Sequence, residues 1–485
     1  MLRGAFGRRL PARSARQALG LLCVAGAAAL GCSQAEQPVT GSLAAENRRP
    51  GTVAWRDSSA GFAKAADLAI WASPYAATVG DTLDLFIHAL YGPLHLTVFR
   101  LGWYGGLGGT QVATIENVAA DSQPPCTAPL PGPVVCAWKR TARLATSPEW
   151  VSGLYVVRVQ DSRQKVATYP LVLRDDRVAK FAVVLGQLTL QAYNSFGGSS
   201  LYTSDTASPG QDVPFVSFER PYAAPTLPAN ILSGIHWLEE GGYDLTYLSD
   251  ADLATGTWSG QSRTVIFVGH DEYWTWGERD LVEQIRNSGV HLVFLAGNTA
   301  YWNIRLGPGT VTGRAANQIT CWKSAADPGA SSTTDVTARF RDPPLNRPEN
   351  ALVGIMYTTL AGSANRSLLV SDSGVGPDAQ AFLDAAGLHP GDSIPGLVGW
   401  EGDRIVANGL TPPRLQVLFK SPIAPAPGRP PDRYHTTFYV AGSGAGVFAS
   451  GSNLFALGLE PAPTATSSPA LRRLMANLLS WMESH

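Results

Sequence analysis

Apolar positions along the chain fall into two patterns, and the change from one to the other comes near Val178. Between about 63 and 175 they form short runs: Leu68 to Trp71, Thr82 to Ile87, Leu96 to Arg100 and Leu154 to Val159. Gly, Pro, Asp or Ser separates these runs, several alternate, and no amphipathic helix interrupts them. This patterning predicts an antiparallel β-sandwich of immunoglobulin type. Gly102 to Gly109 holds five glycines around Trp103 and Tyr104. It predicts a tight hairpin, with a binding loop as the alternative.

Beyond Val178, buried-strand runs alternate with a helical period. Phe181 to Leu185, Tyr243 to Leu248, Thr264 to Val268 and Val290 to Leu295 read as strands. Asn230 to Glu240 carries Ile231, Ile235 and Leu238 at helical spacing and is closed by Gly241-Gly242. Trp276 to Asn287 carries Leu281, Val282 and Ile285 on one face. Strand, helix, strand at this spacing predicts βαβ units and a parallel sheet. Residues 340–365 and 415–458 are strand-rich and predict β extensions. Ser468-Pro469 opens a last helix striped by Leu471, Leu474, Met475, Leu478, Leu479 and Met482. The fold class is therefore β followed by α/β.

Polar residues gather where the apolar runs end. Three segments stand out: Gln191-Ala192-Tyr193-Asn194 to Tyr202, Gly269-His270-Asp271-Glu272-Tyr273-Trp274, and Gly297-Asn298-Thr299-Ala300-Tyr301-Trp302. Each reads as directly following an apolar, β-rich run. Ligands of open α/β sheets bind at the carboxyl ends of strands, so these segments are expected to meet there as a site.

Length and composition narrow the picture. The 485 residues predict two or three domains, and a net charge of -1 gives no electrostatic reason to expect nucleic acid as a partner. The N-terminus changes the expected compartment. Arg3, Arg8, Arg9, Arg13 and Arg16 precede the apolar stretch Ala18 to Gly31, which fits an export signal. Cys32 ends that stretch and resembles a lipidated first residue. Ordinary cleavage nearby is the alternative, and the polar tether that follows favours lipidation. The expected layout is a signal at 1–31, a tether at 32–62, a β-sandwich at 63–175 and an α/β domain at 176–485. Contact with a membrane is expected only through a lipid on Cys32, and the expected location is the outer membrane or cell surface, or else the periplasm or medium. Cys126 and Cys136 bracket a Pro-rich loop and can bridge in an oxidising compartment. Cys321 has no obvious partner, so a nucleophilic role stands beside the commoner buried, inert thiol.

The motifs carry two kinds of chemistry. A strand-to-helix turn with neither Ser nor Cys, but with His270, Asp271, Glu272 and Tyr273, favours metal ligation or acid–base work over an acyl-enzyme. The alternative is helix entry, with Asp271 or Glu272 as the cap. Tyr193 and Tyr202 flank a Gly-rich loop, and phenolates are hard ligands suited to ferric iron. Zinc, P-loop and dinucleotide fingerprints are absent from the sequence. Asn298, Lys323 and Glu401, taken singly, read as surface or capping residues.

The combination of AYNxxGGxSLY, GHxEYW, AGNTAYW, CWK and GWEGD, with Arg100 to Gly106 upstream, resembles the large subunit of N,N-dimethylformamidase and its relatives. The resemblance spans about residues 60–480. It implies that the α/β domain is glutamine-amidotransferase-like and flavodoxin-like in topology. It implies one non-haem Fe(III) held by Tyr193, Tyr202 and Glu272, with Tyr222 in Arg220-Pro221-Tyr222 competing for the second tyrosine position. It implies His270, Asn298, Lys323 and Glu401 as the remaining active-site residues, and a small amide as substrate. Glu401, helped by His270, is then the base, and Asn298 and Lys323 steady the oxyanion. The formamidase itself is intracellular and works with a small partner subunit, unlike a chain bearing an export signal. Two other functions fit the residues: a non-catalytic exported binding module for carbohydrate or another surface ligand, and a cysteine hydrolase built on Cys321.

Overall fold

The computed structural model describes residues 43–485 apart from 57, 58, 60, 129–131, 203–212, 225, 259 and 424–431, and without the side chains of 359–365. The chain divides into Met1–Pro38 and Val39–His485, and every described residue lies in the second unit. The signal-like stretch, Cys23, Cys32 and the first part of the tether lie outside the described residues.

The short alternating runs of the N-terminal part form two sheets. Leu68–Ser73, Thr82–Ala89 and Ala142–Ala145 make an antiparallel three-stranded sheet. Ala76–Thr78, Val166–Arg174, Gly153–Gln160, Leu94–Leu101 and Gly109–Val118 make a five-stranded one, in that order. Leu83, Leu85 and Ile87 of the first and Leu96, Val98, Tyr155 and Val157 of the second share one buried apolar cluster. These are alternate positions along each strand, as period-two patterning requires. The glycine-rich segment closes a hairpin, with Leu101 paired antiparallel to Gly109. Cys126 and Cys136 form a disulfide.

A seven-stranded sheet follows. Its order is Leu245–Ser249, Phe181–Leu185, Thr264–Val268, His291–Leu295, Gly446–Ala449, Asp432–Val440 and Gln416–Ile423. The first five strands are parallel, and the last two add antiparallel. The central strands are apolar throughout because both faces are covered. Val183, Leu185, Ile266 and Val268 pack in a cluster with the helices Ala229–Glu240 and Pro469–Ser484. Their neighbours Ala182, Val184, Val265 and Phe267 pack in another cluster with Val282 and Ile285 of the helix Trp276–Asn287. Among the described residues no helix is long and apolar enough to cross a membrane.

Two smaller sheets carry groups over the carboxyl ends of the parallel strands. One joins Phe215–Ser217, Gln318–Thr320, Trp302–Gly307 and Tyr273–Thr275. The other is a long antiparallel ribbon of Met356–Leu369 and Ser393–Arg404, with register shifts that include one between Leu360/Glu401 and Gly362/Trp400. Such a bulge re-aims the side chains beside it.

The sandwich sheet is tied to the helix Ala229–Glu240 by a buried ion pair. Arg100 Nη2 lies 2.7 Å from Glu239 Oε1, and both side chains are 0% exposed. Glu239 also accepts from Asn47, the Trp103 amide and Tyr247. Gly102 has no alternative here, because a Cβ would stand 2.0 Å from Glu239 Oε2. Removing one partner of such a pair strands the other charge in the interior. Glu239→Gln is therefore expected to cost about 3–5 kcal/mol, read as a lower denaturant midpoint at unchanged slope. A loss well under 1 kcal/mol would contradict this account of the junction.

His291 gives the fold an acid sensitivity. The residue is 1% exposed, and its Nδ1 accepts from the Gly446 amide at 2.8 Å. Burial, with the charges of Arg263 and His485, lowers its pKa to about 4. The unfolded chain thus takes up this proton first. Stability from this group is full above about pH 6.5 and is lost as pH falls from there through 4. Thermal midpoints are expected to decline across that window, and His291→Asn, which keeps an acceptor and cannot titrate, to flatten part of the decline.

Candidate functional site

Three adjacent parallel strands end at the same edge of the sheet. The strand Thr264–Val268 runs into Gly269, whose φ of 89° turns the chain sharply; a Cβ there would stand 2.5 Å from Ile231 Cγ1. His270, Asp271 and Glu272 follow this turn, and the helix begins only at Trp276. Its cap is Thr275, whose hydroxyl accepts from the Glu278 amide. The expectation that Asp271 or Glu272 caps the helix is thus replaced, and both side chains are spared for other contacts.

The strand His291–Leu295 leads to Gly297 and Asn298, the latter at a φ of 55°. This segment is laced to its neighbour: the amides of Tyr301 and Trp302 both donate to the Glu272 carbonyl, at 2.9 and 3.0 Å. The first motif differs from its sequence reading. A short helix, Gln187–Ala192, stands between the strand Phe181–Leu185 and Tyr193. Thr189 on that helix accepts from the amides of Glu272 and Tyr273, at 2.9 and 3.2 Å, and clamps the turn.

The seven candidates come together. Tyr193 Oη donates to Glu272 Oε2 at 2.7 Å and Tyr202 Oη to Glu272 Oε1 at 2.8 Å. The two phenol oxygens are 3.1 Å apart and their rings are stacked, with centroids at 4.6 Å. His270 Nε2 lies 2.7 Å from Glu401 Oε2 and 3.6 Å from Glu272 Oε2. Asn298 Nδ2 donates to Glu401 Oε1 at 3.0 Å. Lys323, at a φ of 54°, sets its Nζ 3.5 Å from the Tyr202 ring centroid and donates to the Leu201 carbonyl. Tyr202, not Tyr222, is the second phenol on Glu272. Tyr222 packs beside the sandwich core, where burial raises its hydroxyl to about 12.

Asn453 was not picked out by the sequence reading. Its Nδ2 donates to Glu401 Oε2 at 2.9 Å and its Oδ1 accepts from the Gly297 amide at 3.0 Å. It follows the strand Gly446–Ala449, the fifth parallel strand, so the strand-end rule applied once more would have found it.

The electrostatics follow from burial. Burial raises Glu272 above the usual carboxylate range, although His270 and both phenols oppose the shift. Burial and the facing Glu272 carboxylate push the Tyr193 and Tyr202 phenols far above their ordinary range. Burial is the largest influence on His270 and lowers it, but the carboxylates of Glu401, Glu272 and Asp271 together outweigh it and raise the imidazole to about 9. With its pKa so raised, His270 is expected to be protonated at neutral pH. Cys321 is buried and free, and burial raises its thiol to about 12, which leaves it protonated.

These residues fit a metal cation. One atom each from His270, Glu272 and Glu401 lie within 4.8 Å of one another. The two phenols on Glu272 add hard oxygen donors to the same spot. Asn298 Oδ1 is buried with no partner among the described residues. The phenols become ligands only by losing protons that their surroundings hold firmly, so binding through them releases protons and strengthens as pH rises.

A cavity of about 360 Å³ opens beside the cluster, lined by His270, Glu401, Asn453, Tyr193, Tyr222 and Trp400 among others. Three residues with side chains at or next to the cluster have left-handed backbone: Asn298, Lys323 and Trp400. Strain of this kind is held in place at functional sites.

Residues 95–468 match the family model described as N,N-dimethylformamidase beta subunit-like, C-terminal. No curated protein matches the chain. Among solved structures, a Paenibacillus sp. cycloisomaltooligosaccharide glucanotransferase complexed with cycloisomaltoheptaose is similar at 9% identity and a TM-score of 0.16. The match covers 49% of this chain and 28% of that one, and carries no argument.

Proposed function

The chain belongs to the N,N-dimethylformamidase beta-subunit-like family, and from that premise we propose that it is a metal-dependent hydrolase of a small non-peptide amide. The observation that carries the reading is the single cluster in which two phenols, two carboxylates, an imidazole and an amide converge beside a cavity. We read the two parts of the chain as an immunoglobulin-like sandwich and an amidotransferase-like α/β domain, the arrangement the resemblance implies.

Tyr193, Tyr202 and Glu272 would hold the metal, Fe(III) on the chemistry of the phenolate donors. His270, Glu272 and Glu401 are a second donor set that shares Glu272. When bound, the cation supplies Lewis acidity toward a carbonyl or water oxygen. The remaining work falls to the chain's own residues. Asn298 and Asn453 fix both oxygens of Glu401. Glu401 takes one proton from water as the water oxygen bonds to the carbonyl carbon. The imidazolium of His270, beside Glu401 and with its pKa raised to about 9, gives a proton to the leaving nitrogen as the C–N bond breaks. The proton on Glu401 then restores His270, and the products are a carboxylic acid and an amine. Asn298 is engaged with Glu401, so its role in this scheme is to position the base. Lys323 remains the cation that offsets negative charge developing nearby.

Amine release from simple amides by the metal-loaded chain tests the reading. Hydrolysis that disappears on chelation and returns with added iron is the expected result. A folded, metal-loaded protein inert toward every amide would overturn it and favour the binding-module alternative.

A further inference from the structure

We propose that the cavity beside the cluster is built for the aromatic substituent of a neutral aryl amide, with Trp400 as its specificity-determining wall. The inference rests on the hydrolase reading above and deepens it.

Size is the first argument. A cavity of about 360 Å³ lies in the range of roughly 300–1,000 Å³ in which ring-bearing ligands are held, whereas the smallest dialkyl formamides bring only about five non-hydrogen atoms. A one-carbon amide would leave most of the space to water. An amide with one ring occupies more of it and reaches the aromatic wall.

Wall chemistry is the second. Leu190, Pro228, Ile231, Tyr193, Tyr222 and Trp400 supply apolar or aromatic surface. Polar groups there are largely committed inward. Asn230 donates to the Asn453 carbonyl at 2.9 Å, and both ends of the Asn453 amide are engaged by Glu401 and Gly297. Recognition away from the reaction centre therefore falls to shape and aromatic contact. Glu401 lines the polar end paired with His270, so that end offers no unpaired charge to call for a charged substrate.

Exposure is the third. Nine large hydrophobic residues are exposed among the described residues, and two of them, Tyr193 at 42% and Trp400 at 54%, line this one cavity. Trp400 is also held at a φ of 58°, a conformation unfavourable for a bulky residue. A strained backbone that presents an exposed indole beside the base is best explained by a ring that the indole meets.

The test compares acetanilide with N,N-dimethylformamide on the metal-loaded full chain. The wild type is expected to show kcat/KM at least ~10-fold higher for acetanilide. Trp400→Gly removes the indole at a backbone angle glycine adopts freely, so folding is preserved. It is expected to reduce the acetanilide preference ~10-fold, mainly through KM, and Trp400→Phe to restore part of it. Acetanilide binding is read separately by calorimetry in Glu401→Gln, with and without Trp400→Gly. Binding that is lost with the indole supports the cavity assignment even where neither amide is hydrolysed, an outcome that would sink only the hydrolase reading. Equal kcat/KM for the two amides, or acetanilide binding indifferent to Trp400, would overturn the proposal.

Discussion

Glu401→Gln is expected to lower kcat/KM for amide hydrolysis by about 10²–10⁴-fold, the range that a positioned acid or base contributes. The argument is geometric. Both Glu401 oxygens are held by donors, Asn298 and Asn453, and one also lies 2.7 Å from His270. Glutamine keeps the size and can keep one of those contacts, so the fold and the Glu272 contacts with Tyr193 and Tyr202 should survive. What changes is the proton chemistry. Without the Glu401 carboxylate, His270 loses the main influence that raises its pKa, and burial then opposes what Glu272 still contributes. The variant is thus expected to lose the base and to lower the titration midpoint of the imidazole. Steady-state kinetics and an imidazole titration by NMR read the two effects separately. Retained activity with a titration midpoint still near 9 would remove Glu401 from the mechanism.

Glu272→Gln is expected to weaken metal binding by at least ~100-fold and to remove activity with it. Loss of a group that merely supports a ligand costs about 10–100-fold, and Glu272 belongs to both donor sets. The same substitution should act in the opposite sense on the metal-free fold. Glu272 is 2% exposed, and burial raises its pKa, so its charge is costly to the metal-free protein. A neutral amide of the same shape relieves that cost while still facing both phenols. Denaturation in chelator is expected to show the variant more stable than the wild type, and denaturation with metal to reverse the order. Lower stability in both conditions would mean that Glu272 is structural.

Much of this arrangement was legible from sequence because strand ends are local features. Val265 to Val268 followed by Gly269, and Leu292 to Leu295 followed by Gly297, announce a buried strand and a turn without reference to anything distant. The pairing of Tyr202 with Glu272 was legible only through the family resemblance, and Tyr222 stood there as a competitor for the same position. Other features were hidden for physical reasons. Gln187–Ala192 spans 6 residues, too short for a helical period to show, yet it carries the Thr189 clamp. Pro377–Ala386 is a helix lying between the two strand-rich segments, and 340–355 is loop and short helix where strands were expected. The place of Trp400 depends on a bulge in a ribbon whose strands lie far apart in sequence, and no local pattern encodes that register.

The most direct measurement is metal content together with the visible absorption spectrum of the purified chain, wild type against Tyr193→Phe. The account predicts about one iron per chain and a phenolate-to-metal charge-transfer band that weakens or shifts when Tyr193 loses its hydroxyl. Bound metal with no such band would move the centre to His270, Glu272 and Glu401. A well-folded chain that takes up no metal would contradict the account.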